Sequence, residues 1–225
     1  MVKQTNRKKG ETKSIILNAA AKLFLEKGYQ NITIAELAKE ANVAYGELFR
    51  IGIDKENIIS ELVAYVLEGQ FELTAKLLKD KTEDKVLFYA AETVLQLHMA
   101  ESSEHIRDLY TTAYSLRHSL EKIYTTITKK LEDIFKEYLP KHNTSDFYEL
   151  EIASAGIMRN FLTVPCNMYF TMDRKIKRFL ETTFLIFRVP DEKINEAIEF
   201  VSQFDFNKIA QNGINAMLKY LESKV

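Results

Sequence analysis

Residues 33–55, TIAELAKEANVAYGELFRIGIDK, decide the fold. They read as a short helix, a tight turn and a second short helix. Thr33 and Glu36 have capping-box spacing: the Thr hydroxyl accepts from the Glu36 N–H, and the Glu carboxylate reaches back to the helix start. Ile34, Leu37, Ala38 and Ala41 recur at i, i+3, i+4 and i+7, one apolar stripe of helical period. Asn42 follows, and after Gly it is Asn that best tolerates the positive φ of such a turn. Val43 and Leu48 direct the second helix back onto the first. Two helices of about seven to nine residues are not stable alone, so a third must cover them.

The segment just upstream supplies that cover. Ile16, Ala19, Ala20, Leu23 and Phe24 form one apolar face of a helix that Thr12 is placed to cap. Gly28 after Lys27 is a helix stop, and Tyr29 is expected to fold back over the end. Downstream, Asp54 caps a long helix over residues 55–78, with Ile59, Leu62, Val63, Val66 and Leu67 on its stripe. At about 1.5 Å per residue this helix spans over ~30 Å. No Pro/Gly/Ser-rich linker separates it from what precedes, so rigid coupling is expected between residues 1–54 and 55–225.

The rest reads as helices over 83–100, 103–117 and 118–139. Ser145 or Asp146 then caps a long apolar helix to about residue 172. Pro165 falls inside it and, lacking an N–H for the Phe161 carbonyl, is predicted to kink it. Asp173 opens the next helix, Pro190 sits in the first turn of another, and a last one covers 206–222. The fold class is all-α.

Composition agrees. Of 225 residues 46% are hydrophobic, enough for a sizeable core, with three Pro, seven Gly and no Trp to suggest long loops or strands. The net charge of −1 conceals an asymmetry: residues 1–55 carry ten Lys/Arg against six Asp/Glu, a net +4, which leaves −5 on the remainder. A basic end on an acidic body is the distribution of a chain that meets a polyanion at one end. Lys3, Arg7, Lys8 and Lys9 make the N-terminus a candidate phosphate-touching arm. The single cysteine, Cys166, forms no intramolecular disulfide and fits a reducing cytoplasm. MVKQTNRKKGETK has no apolar signal region, and no apolar run reaches about 18 residues, so neither secretion nor membrane spanning is expected.

The run ILNAAAKLFLEKGYQNITIAELAKEANV, with Gly46, Leu48 and DKENII, resembles the tetracycline-repressor-like (TetR/AcrR) regulators over residues 11–60. The resemblance implies a three-helix DNA-binding head (1–54), then a helical body (55–225) that binds a small ligand and dimerises. It implies a ligand-released repressor acting as a homodimer on a palindromic duplex operator, and the ligand is expected to be small and apolar or amphipathic. The positions it assigns to DNA are Thr33, Ala44, Tyr45, Gly46, Glu47, Phe49, Arg50 and Lys55. Several depart from the family's pattern. Ala44 stands where a Ser or Thr cap is usual, Glu47 where Thr, Ser or Ala is usual, and Phe49 where a Tyr hydroxyl touches phosphate. Ile51 and Gly52 replace an aromatic pair, and Ala35 occupies a position often held by a base-reading Arg. A carboxylate accepts from cytosine N4, so Glu47 is read as a candidate base reader. The rival reading is a protein-interaction module of the same fold that has lost DNA binding.

In the body, Tyr89, His98, Tyr110, Tyr114, Arg117, Phe161, Cys166 and Tyr169 place polar tips on apolar faces and are the candidate ligand set. Aromatics at helical spacing are more often plain core; here the resemblance favours a pocket, expected beside the Pro165 kink. His98, Glu101 and His105 fall at i, i+3 and i+7, but Ser102-Ser103 interrupts them, and no HExxH or paired Cys is present, so no metal or cofactor is expected. No Gly-rich phosphate loop and no GxSxG occurs, and an enzyme is not expected. The apolar stretch 147–187, with Gly156 open to close helix approach, is the expected dimer face, as the resemblance also implies.

Overall fold

The computed structural model describes residues 9–52 and 54–223. Among them are eleven α-helices, one 3-10 turn (Tyr29–Asn31) and no strand. The helices are α1 (Lys9–Lys27), α2 (Ile34–Glu40), α3 (Tyr45–Arg50), α4 (Lys55–Leu78), α5 (Lys85–Glu101) and α6 (Glu104–Ala113), followed by α7 (Arg117–Phe135), α8 (Thr144–Thr163), α9 (Met172–Ile186), α10 (Asp191–Ser202) and α11 (Phe206–Ser223). None of the described helices is long and apolar enough to cross a membrane. The basic positions Lys3, Arg7 and Lys8 lie outside the described residues.

Helices α1–α3 form the N-terminal helix-turn-helix unit. The capping box is present: Glu36 N donates to Thr33 Oγ1 at 3.2 Å, and Thr33 N donates to Glu36 Oε2 at 2.9 Å. Asn42 takes φ 50°, and the Val43 N–H returns to the Ala38 carbonyl at 3.0 Å, which closes the turn. Leu37 and Leu48 are fully buried, as are Ile16, Ala20 and Phe24 of α1. Gly28 has φ 80° and its N–H meets the Phe24 carbonyl at 2.9 Å; Tyr29 then lies edge-on to Phe24 at 5.2 Å. Thr12 is not the cap of α1. The helix already runs from Lys9, and Thr12 is a buried residue within it.

Helix α4 starts on Asp54, whose Oδ1 accepts from Asn57 N at 2.7 Å, and packs against α1 as well as α5 and α7. Helix α5 is the axis of the body. Ala90, Ala91, Val94 and Leu95 are completely buried, and α4 and α6–α11 all contact it. A helix surrounded on all sides must be apolar all round, and KVLFYAAETVLQL largely is. Aromatic rings fill one end of the body, where Phe135 and Phe187 stack at 4.1 Å and Tyr89 meets Phe135 edge-on at 5.1 Å.

The expected single helix kinked at Pro165 is instead two helices. Helix α8 ends at Thr163 and Val164 is extended (φ −92°, ψ 112°). The Pro165 ring excludes the helical region for the residue before it, so the chain stops rather than bends. Two further starts differ from expectation. Asn143, not Ser145 or Asp146, caps α8, with Asp146 completing a capping box. Thr171 rather than Asp173 caps α9. In both cases the oxygen that reaches the first free N–H groups belongs to a residue just upstream of the helix, where extended geometry aims it inward.

Candidate nucleic-acid interface and body cavity

Helix α3 presents the candidate reading surface. Ala44 is its N-cap and makes no side-chain bond, leaving an N–H that Ser or Thr would satisfy. Leu48 anchors the inner side. Tyr45 and Phe49 are 52% and 65% exposed, with ring centroids 5.2 Å apart. Arg50 Nη2 donates to Glu47 Oε1 at 3.0 Å, so the carboxylate is met by a cation on its own helix. A Cβ built on Gly46 meets no atom within 4 Å, so the glycine leaves room outward rather than relieving a clash within.

Two of the expected phosphate contacts are engaged inside the protein. Lys55 Nζ donates to the Tyr29 carbonyl at 2.7 Å and lies 4.2 Å above the Tyr29 ring centroid. Burial lowers its pKa, with Glu36 opposing. Thr33 Oγ1 donates to Glu36 Oε2 at 2.8 Å. Both residues fix the entry to α2 and α4.

The body contains a cavity of about 30 Å³ between α5, α7 and α8. Tyr89 and Tyr114 of the candidate set line it. The residues the sequence reading missed are its polar lining: Glu92 and Gln96 of α5 and Glu151 and Ser154 of α8. Gln96 Nε2 donates to Tyr114 Oη at 3.0 Å, and Ser154 Oγ donates to Glu151 Oε2 at 2.5 Å. Glu92 is 5% exposed and its Oε1 has no hydrogen-bond partner among the described residues. Burial pushes the Glu92 carboxyl up to about 7, with Lys130 opposing. Burial likewise raises Glu151 to about 8; the Ser154 hydrogen bond opposes this and the Glu92 charge adds to it. Burial also raises the phenols of Tyr89 and Tyr114, with both glutamates contributing. A signal for Glu92 was legible: it is the one acidic residue inside an otherwise apolar run, FYAAETVLQL. Glu151 sits in a mixed stretch and carries no such signal.

The other candidates lie elsewhere. Tyr110 is buried beside the cavity, its hydroxyl accepting from Gln70 Nε2 at 2.5 Å. His98 stacks against Phe206 of α11, with centroids 5.9 Å apart. Arg117 is exposed at the start of α7. Phe161 packs edge-on to Phe179 at 5.6 Å, and Tyr169 is 79% exposed on the loop before α9. Cys166 N donates to Glu101 at 3.2 Å, and burial raises its thiol. The cavity therefore does not adjoin Pro165; a separate open pocket of about 400 Å³ is lined by Tyr169 and Phe170 of the α8–α9 loop with Arg174, Lys177, Arg178 and Glu181 of α9. His98, Glu101 and His105 also part company. Glu101 pairs with the buried Lys175 at 2.5 Å, and His105 Nδ1 lies 2.9 Å from the Leu25 carbonyl.

An all-α chain with an N-terminal helix-turn-helix and a larger helical body has the build of a DNA-binding regulator. Residues 16–62, the N-terminal helix-turn-helix segment, match the model of the bacterial regulatory proteins of the tetR family. No curated protein sequence matches the chain. Among solved structures it is similar to RolR in complex with the ligand resorcinol, at 15% identity and TM-score 0.65, over 87% of this chain and 95% of that one. A gamma-butyrolactone receptor (ArpA-like protein) aligns at 15% identity and TM-score 0.48 over 87% and 96%. CprB of S. coelicolor, a TetR-family protein, aligns at 19% identity and TM-score 0.42 over 89% and 98%. At these identities RolR speaks for the fold alone.

Proposed function

We propose that the chain is a ligand-responsive transcriptional repressor that binds a palindromic operator as a homodimer, with residues 1–54 as the DNA-binding domain and 55–225 as the effector and dimerisation domain. One observation carries this reading. A small helix with a Glu47–Arg50 pair and an open glycine lies in the N-terminal unit, and a cavity holding two buried carboxyls lies in the body. Helix α6 links the two: His105 near its start meets α1 at Leu25, and Tyr114 just past its end lines the cavity. A ligand that favours a different placement of α6 shifts the heads, and by linkage weakens DNA binding by the same factor that DNA weakens ligand binding.

The exposed Tyr45–Phe49 pair favours a second reading, a protein-interaction module, because exposed aromatics suit protein contacts at least as well as bases. Selection of bound sequences from random duplex DNA at low and high salt separates the two. Recovery of a two-fold site, with affinity falling steeply as salt rises, supports the repressor. Failure of the chain to retain any duplex at low salt removes it.

A further inference from the structure

Two carboxyl side chains from different helices share one buried cavity, and the cations around them do not balance them. Glu92 belongs to α5 and Glu151 to α8, 5% and 4% exposed. Ser154 satisfies one Glu151 oxygen, whereas Glu92 Oε1 is unpartnered. Tyr89 and Tyr114 line the cavity with the pair, and burial and both glutamates raise their phenols. Lys130 of α7 is the cation on the cavity lining, and its Nζ sits 3.9 Å above the Phe71 ring centroid. A buried polar atom left without a partner costs about 1–3 kcal/mol, so its retention calls for an occupant.

We propose that the effector is a primary amine whose ammonium group enters this cavity and donates to Glu92 and Glu151. This rests on the ligand-responsive reading above and specifies its ligand. The cavity, about 30 Å³, has room for a water-sized group such as an ammonium head. Most of the lining is buried; Phe71, Ile127 and Lys130 are partly exposed and mark the mouth at the α4–α7 seam, where the carbon chain of the ligand lies. The Phe71 face already receives one ammonium there, that of Lys130. An alcohol or phenol also donates to Glu92 Oε1, but supplies one donor and no charge. An ammonium supplies three donors and the counter-charge the two carboxyls lack. The proton balance follows. The amine arrives as the ammonium, a protonated glutamic acid gives its proton to solvent, and a carboxylate–ammonium pair remains. Because the two carboxyls hold their protons up to about 7 and about 8, this loss is near balance at neutral pH.

The test is calorimetry of the full-length protein with hexylamine, 1-hexanol and resorcinol, at pH 7 in phosphate and in HEPES, two buffers without a primary amine, with operator release scored in parallel. Hexylamine should bind with net proton release, visible as a buffer-dependent enthalpy, and about tenfold or more tighter than hexanol. Glu92→Gln should remove that preference while the melting temperature is held or raised, since a neutral amide replaces a buried acid. Equal or tighter binding of hexanol or resorcinol without proton release overturns the amine assignment but leaves the effector reading standing. Hexylamine binding that depends on Glu92 yet never changes operator occupancy keeps the site and removes the effector reading. No binding by hexylamine overturns the assignment.

Discussion

Glu47 and Gly46 are one residue apart on α3 and bear on different questions. Because Arg50 meets the Glu47 carboxylate at 3.0 Å, the acid is held in place and its repulsion of phosphate is moderated. If it accepts from a cytosine N4, Glu47→Ala relaxes preference at one base pair and costs roughly 1–3 kcal/mol there. Uniformly tighter binding to every sequence is the contrary outcome, and selection from random DNA distinguishes them. Gly46 lies inside a helix with nothing within 4 Å of its missing Cβ. Gly46→Ala should therefore stabilise the fold, by roughly 0.5–1 kcal/mol in thermal or denaturant unfolding. The same methyl group points outward and should weaken operator binding. Stability gained with affinity unchanged would show that no backbone approaches the surface at this position.

At the scale of the helix, α5 carries its acid at a cost that shows in pH dependence. Glu92 and Glu151 have folded pKa values of about 7 and about 8 against an ordinary 4.5. The folded state then binds more protons than the unfolded state between about pH 4.5 and 8, so stability must fall as pH rises through that window. His98, which burial holds neutral, acts in the opposite sense below its ordinary 6.5. Glu36, Glu40, Glu61, Asp84 and Glu101 are lowered and act only in acid, where stability is lost as pH falls. The diagnostic is thus the difference between wild type and Glu92→Gln in urea unfolding at pH 5 and pH 8, with the variant gaining relative stability at pH 8. Helix α6 makes a separate prediction. His105→Ala removes the contact to the Leu25 carbonyl without touching the cavity or α3. Operator affinity without effector should change little, while the effector's influence on it shrinks from the typical coupling of about 1–3 kcal/mol. A full effector response in the variant would place the coupling elsewhere.

For the whole molecule, the expected consequence is a homodimer through α8 and α9. Ile152 and Leu185 are 46% and 65% exposed, and a Cβ on Gly156 would meet nothing within 4 Å, so a second helix can come close. A stable interface of this kind should bury over about 1,000 Å². Sedimentation at micromolar concentration should give a mass near twice 26.1 kDa. Ile152→Glu combined with Leu185→Glu should halve that mass and cost operator affinity, since a two-fold site about one DNA turn (~34 Å) per half needs both heads. A wild-type monomer at that concentration would sink the interface.

What the sequence determined was local. Thr33 with Glu36, Asn42, Gly28 and Asp54 are short-range signals, each acting on backbone within a few residues of itself, and each took the conformation its chemistry dictates. The all-α class and the helix-turn-helix followed from that periodicity and punctuation. Some local readings missed because two rules competed: at Pro165 the restriction on the preceding residue won over the kink, and Asn143 displaced Ser145 as a cap. The cavity was decided only by tertiary structure. Tyr89 and Glu92 belong to α5, Glu151 belongs to α8, and nothing in the periodicity of either helix says which turns will face each other. Burial of Glu151 likewise depends on α5 and α7 lying over it, and a carboxyl's desolvation is a property of its neighbours in space. The engagement of Lys55 with Tyr29, 26 residues away, has the same origin: a lysine at a helix start looks free until the fold places a carbonyl and a ring beneath it.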